Sequence, residues 1–471
     1  MTEPGGDQRA RRRASLTITA LTFGTSLNPL NSSMIAVALL SLQADFGLDL
    51  ATVTWVITVF YIAAIIGQPL MGRIIDALGA RRIFLIGMVV VAIAAVLGPV
   101  GGSFVLVCVS RGLLAIGTSV AFPAAVALVG QLSAAGGIPV PRLLARIQVT
   151  NTAGAAVGPV LGGVLVLLAG WEAVFLVNIP LAIVGFIGVA VLAPRDVPRS
   201  GVTAGRLFVN LDPAGVLAFA IAMSALVVFA LDTSGGIDWW LLAVGIVALT
   251  LFVWREWRAR IPFIDVRMLA RNATLRRVYL AFTVFSALFY LAFFGLPQLL
   301  EDRGGYSTAI VGLLMLPLAA FTVVLAPLVA RLIERWGVRP VFLWGAVILV
   351  PAAATLALGV VTTDAIWMLV AAAALGIPYC VIGLAATQTV QETAPSGQIG
   401  AASGLLQSMR YLGAIVATVM LGQFIGTGIT PEGWGAVAVG ATVLGVVHLV
   451  IVGVWSWGSA RGARWRDSRD D

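Results

Sequence analysis

The stretch Pro69-Leu70-Met71-Gly72-Arg73-Ile74-Ile75-Asp76-Ala77-Leu78-Gly79-Ala80-Arg81-Arg82 decides how the rest of this chain is read. It sets glycine, arginine and aspartate in a short polar turn between two long apolar runs. The arrangement returns as Pro327-Leu328-Val329-Ala330-Arg331-Leu332-Ile333-Glu334-Arg335-Trp336-Gly337-Val338-Arg339-Pro340, at a constant offset of 258 residues. A charged turn repeated once in each half of a hydrophobic chain points to a duplicated membrane protein.

Hydrophobic residues make up 60% of the 471, and charged residues only 11%. A soluble domain carries about a quarter charged residues. Many apolar runs exceed the ~20 residues a helix needs to cross a bilayer, so the class is an all-α polytopic membrane protein. The net charge of +8 comes with no lysine at all. Its arginines sit between apolar runs, as orienting charges do, which argues against nucleic acid as a partner. Cys108 and Cys380 lie far apart in apolar runs and suggest neither a disulfide framework nor a metal site. With no P-loop pattern and no metal-ligand cluster, no ATP, metal or other cofactor is expected. The polar start carries Arg9, Arg11, Arg12 and Arg13. The run after it is longer than a signal-peptide core and lacks a cleavage pattern, so it reads as a retained first helix.

About fourteen spans are predicted: 15–42, 52–71, 83–100, 104–129, 143–169, 173–192, 213–231, 239–254, 278–300, 309–333, 341–361, 366–390, 399–424 and 434–457. An interruption with Pro194, Arg195, Pro198, Arg199 and Arg206 follows the sixth. With the N-terminus inside, 26 of the 29 arginines fall on inner segments, the last being Arg461, Arg464, Arg466 and Arg469. Outer segments hold only Arg303, beside Asp45, Asp49, Asp232, Asp238, Glu301, Asp302, Asp364 and Glu432. That asymmetry puts both termini in the cytoplasm. The 258-residue offset carries helices 2 and 3 onto helices 10 and 11. It divides the chain into a six-helix half (1–193), a linker region with two additional helices (194–277) and a second six-helix half with a tail (278–471). Parallel repeats of this kind are a transporter architecture, with the solute site near the midplane between the halves.

At this point the residues resemble a family. Gly72-Arg73-Ile74-Ile75-Asp76-Ala77-Leu78-Gly79-Ala80-Arg81-Arg82 is similar to the loop signature of the major facilitator superfamily. Gly154-Ala155-Ala156-Val157-Gly158-Pro159-Val160-Leu161-Gly162-Gly163 in helix 5 resembles the signature of its antiporter branches. Trp171 with Phe175-Leu176-Val177-Asn178-Ile179-Pro180 resembles the helix 6 signature of the fourteen-helix drug:proton antiporters. So do Asp212 and Gly215, Glu256 with Pro262-Phe263-Ile264, Pro297-Gln298, Gly305-Tyr306-Ser307, Gly312 and Pro317. The resemblance implies the major facilitator fold and proton-coupled export of drug-like compounds. The chain departs from that branch at three places. Asn31 stands where helix 1 usually has an aspartate, Leu114 and Ala115 where Gln-Gly follows the helix 4 arginine, and Glu172 where an arginine follows the tryptophan.

The chemistry of these residues suggests roles. Asp76 can pair with Arg81 or Arg82 and accept backbone N–H groups from a neighbouring helix N-terminus. Gly72 and Gly79 permit close approach and turning. With Arg73, such a cluster can lock the inner ends of the halves in one state and release them in another, and Arg331, Glu334, Gly337 and Arg339 form a weaker second copy. Gly154, Gly158 and Gly162 share one face of helix 5, where small residues let helices meet closely. Gly163 adjoins that face, and Pro159 bends the helix. Arg111 and Arg410 lie inside spans, where an unpaired charge costs at least ~3 kcal/mol; with Glu172 at the outer mouth they are the coupling candidates. His448 in helix 14 reads as a packed, hydrogen-bonded histidine. Cavity candidates are Asn28, Asn31 and Ser32 in helix 1, Phe285, Phe289, Tyr290 and Gln298 in helix 9, and Gln388 in helix 12.

The expected function is a secondary active multidrug efflux transporter in the cell membrane. It would export hydrophobic or cationic small molecules by alternating access in exchange for protons and confer antibiotic resistance. The alternatives are a dedicated exporter of one metabolite, lipid or peptide, without protons, and a non-transporting sensor. An enzyme is not expected.

Overall fold

Inside a bilayer no water reaches the backbone N–H and C=O groups, so each apolar run must close its own hydrogen bonds as a helix. In a computed structural model the described residues are 4–196, 211–231, 239–395, 397–425 and 429–454. Pro198, Arg199, Arg206, Asp232, Asp238, Arg461, Arg464, Arg466 and Arg469, and the end of the last predicted span, lie outside them. The long helices are α1 (Pro4–Phe46), α2 (Trp55–Leu78), α3 (Ala80–Val100), α4 (Phe104–Gly136), α5 (Val140–Ala169), α6 (Glu172–Leu192) and α7 (Pro213–Leu231). They continue as α8 (Trp239–Arg258), α9 (Ala273–Asp302), α10 (Thr308–Trp336), α11 (Val338–Val361), α12 (Ala365–Thr393), α13 (Ile399–Ile425) and α14 (Pro431–Gly453). Thirteen of those among the described residues are long and apolar enough to cross a membrane. The remaining one, α1, is 43 residues long and begins in the arginine-rich start.

The stretch 69–82 departs from the expected polar turn. Most of the expected polar turn is helix: Gly72 to Leu78 form the last two turns of α2, and Gly79 alone separates it from α3. Gly337 separates α10 from α11 in the same way. Both glycines have positive φ, +102° and +84°, which a side chain would oppose. The charged residues do not end the helix because Arg73 and Asp76 find partners outside it, on the Phe263 carbonyl and the start of α13, while the backbone ladder continues.

Two principal contacts of related geometry join the first six helices to the last six: α2 packs along α13, and α5 along α10, with α4 against α13 and α5 against α12 beside them. The 258-residue offset carries α2 onto α10 and α5 onto α13, so each principal contact is the counterpart of the other. The glycine row of α5 seats it on α1. A Cβ at Gly154 would lie 3.2 Å from the Ser26 carbonyl oxygen, one at Gly162 2.9 Å from that of Met34, and one at Gly158 would overlap the Ser33 hydroxyl. Gly163 is looser, 3.8 Å from Val37. α7 and α8 pair with each other, and α7 touches α2 and α13 from outside. α8 exposes Trp239, Trp240, Trp254 and Trp257 at its two ends, where amphipathic rings suit the two lipid–water interfaces.

Candidate translocation site

The inner ends of the halves are closed. The carboxylate of Asp76 accepts the backbone N–H groups of Gly400 (2.9 Å) and Ala401 (2.8 Å) at the start of α13, where unsatisfied donors and the helix dipole favour an anion. Small residues allow that approach. A Cβ at Gly72 would overlap the Gly400 carbonyl oxygen, and one at Gly404 would overlap that of Gln68. One turn deeper, the Ser408 hydroxyl donates to the Ile65 carbonyl at 2.8 Å.

The counterpart contact uses side chains alone: Arg142 on α5 meets Glu334 on α10 at 2.8 Å, with 45% and 21% of the two side chains exposed. Arg331 and Arg339 lie exposed nearby. Arg81 and Arg82 hold a different joint. Their backbone N–H groups donate to Asp196 (3.1 and 2.8 Å), and the Arg81 guanidinium donates to the Ala190 carbonyl at 2.6 Å. Asp196 thus caps α3, a role the sequence did not reveal.

Arg73 donates to the Phe263 carbonyl at 3.2 Å, in the connection after α8. Glu256, fully buried, accepts the Ile264 N–H of the same connection at 2.9 Å. Asp212 accepts from the Gly215 N–H at 3.1 Å and pairs with Arg255. Burial pushes the Asp212 carboxyl upward. Its hydrogen bonds from Arg255 and Gly215, with Glu256 beside it, outweigh that and hold it below the ordinary carboxylate range. The inserted helices therefore brace the inner end of α2.

Above this closure lies a cavity of about 940 Å³ between the halves. It runs from Gln68, Asn151 and Gln407 at mid-depth to Pro297, Glu301, Gly312 and Ile425 near the outer ends of their helices. Asn28, Ser32, Pro159, Phe289, Tyr290, Gln298 and Arg410 lie on its wall. Phe289 stacks on Tyr379 with centroids 4.0 Å apart and on Phe293 at 5.6 Å. The Tyr411 hydroxyl donates to the Asn28 side-chain oxygen, and the Asn28 amide donates to Thr118 at 3.2 Å. Four of the six tyrosines of the chain, Tyr61, Tyr290, Tyr379 and Tyr411, line this space. Their rarity was the signal that could have found Tyr61, Tyr379 and Tyr411, which the sequence reading missed.

Three cavity candidates face elsewhere. Asn31 is fully buried and exchanges amide hydrogen bonds with Asn178 on α6, one of them 3.0 Å long. Phe285 packs behind the wall between Tyr379 and His448. Gln388 donates to Glu392 at 2.8 Å. Each misplacement has one cause: helical spacing puts a residue on a face but does not say which neighbour that face meets.

The two intramembrane arginines also part company. Arg111 is 1% exposed behind the wall. It points Nε at the Val56 carbonyl and Nη2 at that of Asn31, both 3.4 Å, with its Cζ 4.4 Å over the Phe60 ring. Carbonyl dipoles and a π face compensate its charge. Arg410 faces the cavity. Glu172 stands at the outer start of α6, off the cavity wall, and His448 is buried with Nδ1 2.9 Å from the Ala281 carbonyl oxygen.

The Major Facilitator Superfamily matches residues 21–418. The chain is similar to the uncharacterized MFS-type transporter YwoD of Bacillus subtilis, 35% identical over 89% of this chain and 92% of that one. It is also similar to the tetracenomycin C resistance and export protein of Streptomyces glaucescens, 27% identical over 90% and 79%. The crystal structure of the human organic anion transporter MFSD10 superposes with a TM-score of 0.64 at 17% identity, covering 93% of this chain and 99% of that one. The helices, the paired contacts between halves and the extent of the family match agree: the chain is a multi-pass membrane transporter, not an enzyme, and belongs to the Major Facilitator Superfamily.

Proposed function

We propose that the chain exports hydrophobic, drug-like compounds across the cell membrane by alternating access, in exchange for protons. The observation that carries this reading is a cavity of about 940 Å³ reaching the outer helix ends above an inner end shut by the Asp76 contact. One end open and the other bonded closed is one member of the pair of states such a cycle requires. The halves 1–193 and 278–471 would rock about the α2–α13 and α5–α10 contacts. Asp76, with Gly72, Gly400 and Gly404, would act as the inner latch, and the Arg142–Glu334 pair as a secondary one. A largely apolar and aromatic wall with polar side chains interspersed suits ligands of varied shape. The relative named for tetracenomycin C resistance and export supports the direction of transport, and the resemblance to drug:proton antiporters supports the driving ion.

Inverted membrane vesicles test this reading directly. With the lumen acidified, vesicles carrying the chain should accumulate several lipophilic dyes of a panel, and collapse of the proton gradient should abolish the accumulation. Accumulation indifferent to the gradient would remove proton exchange. Uptake of a single compound class would convert the multidrug reading into that of a dedicated exporter.

A further inference from the structure

Arg410 stands eleven residues into α13, roughly 16 Å from its inner end and so near the middle of the ~30 Å apolar layer. It lines the cavity, yet among the described residues it makes no hydrogen bond and no ion pair; its nearest compensation is the Phe282 ring, 5.7 Å from Cζ. Tyr290, Tyr379 and Tyr411 line the same cavity and lie within electrostatic reach of its charge. The hydroxyls of Tyr290 and Tyr379 also have no hydrogen-bond partner among the described residues. Among the described residues the one acid on the cavity wall, Glu301, is exposed at the outer end of α9, eleven residues beyond Tyr290. A fixed cation and two free phenolic donors thus face a largely apolar, aromatic space with no acid among the described residues at their depth.

We propose, resting on the export reading above, that the substrates are amphipathic organic anions. A carboxylate or comparable acid group pairs with Arg410 and accepts hydrogen bonds from Tyr290 and Tyr379, while the apolar body lies along Phe289, Phe293 and Phe294. A guanidinium keeps its charge at ordinary pH and presents a planar fork that matches a carboxylate. A cationic ligand would instead bring like charge to Arg410 with no acid beside it. This replaces the cationic part of the substrate class expected from the sequence.

The test uses the full-length chain in lipid nanodiscs and three fluorescent probes with one body: pyrenebutyrate, pyrenebutanol and pyrenebutylamine. Pyrenebutyrate should bind about tenfold or more tighter than pyrenebutanol, the size of one charge-assisted contact, and pyrenebutylamine weakest of the three. Arg410→Gln should bring the acid down to the affinity of the alcohol while changing the alcohol less than about twofold; Arg410→Lys should keep part of the preference. Equal affinity for acid and alcohol in the native chain, or an unchanged acid affinity in Arg410→Gln, would overturn the proposal. Should Arg410→Gln fail to bind the alcohol, and so fail to fold, Tyr290→Phe and Tyr379→Phe take its place. Each should weaken the acid selectively, and the absence of that selectivity from both would overturn the proposal equally. Proton-driven accumulation of pyrenebutyrate in inverted vesicles tests export separately. Its absence with the acid preference intact removes export and leaves the anion site; its presence without that preference removes only the anion site.

Discussion

The two inner contacts between the halves occupy equivalent places and are built differently. The 258-residue offset carries Asp76 onto Glu334 and the first turn of α5, with Arg142, onto the first turn of α13, with Gly400. At the first site a carboxylate caps a helix through two backbone donors, over a crossing so tight that Gly72 and Gly404 admit no side chain. At the second, two flexible side chains meet with much of their surface exposed. Charge-assisted bonds to fixed, half-buried donors are worth about 1.5–3 kcal/mol each, whereas an exposed ion pair is worth ~0–1 kcal/mol. The repeat sets two contacts at equivalent places, and burial makes the first the stronger.

That contrast can be broken at several points. Gly72→Val should have the largest effect, because its side chain would drive into the Gly400 carbonyl and the backbone there cannot yield. Over-packing of this kind costs ~1–3 kcal/mol, and dye accumulation in inverted vesicles should fall more than about tenfold. A native rate would mean that the tight crossing is not used in the cycle. Asp76→Asn comes next. It removes the charge and one acceptor, so transport should drop about tenfold. A Ser408→Cys reporter, in a chain with Cys108→Ala and Cys380→Ala, should then react faster with thiol reagents added from the cytoplasmic side. Unaltered labelling would dissociate Asp76 from closure.

Glu334→Gln and Arg142→Gln should each slow transport less than about threefold, and raised salt should erase that difference, as it screens exposed pairs. A loss as large as that of Asp76→Asn would refute the ranking. The smallest effect is expected at Asp212, which joins α7 to α8 behind the first latch. Its carboxyl lies below the ordinary range when folded. Its contribution to stability is therefore complete above the ordinary carboxylate value, ~4, and is lost as pH falls through the lowered one. The gap in thermal unfolding between the native chain and Asp212→Asn should be constant at neutral pH and close under strong acid; a gap that widens instead would contradict the sign of the shift.

The membrane class and the helix order follow from the sequence, and the orientation and the duplication are what it leads one to expect. Each depends on something local and additive: apolar run length against bilayer thickness, arginine placement against the positive-inside preference, and a repeat read by offset. The latch was half legible. Asp76 was expected to meet a helix N-terminus, but which helix could not be read, since its partner Gly400 is 324 residues away. A glycine pair four residues apart in α13, Gly400 and Gly404, was the available clue.

The cavity was legible in chemistry and not in direction. Phe285 and Phe289 share a spacing and a residue type, yet one backs onto His448 and the other lines the cavity wall. Arg111 and Arg410 read alike by hydropathy, each a charge inside an apolar run, although only Arg111 falls on the helix 4 signature. Only the packing of α2, α4 and α1 gave Arg111 two carbonyls and a ring, and only the gap between halves left Arg410 open to the cavity. A chain fixes which groups cannot face lipid, because that cost depends on the group alone. Whether such a group is satisfied from within or left for a ligand depends on which surfaces meet, and only the tertiary structure decides that.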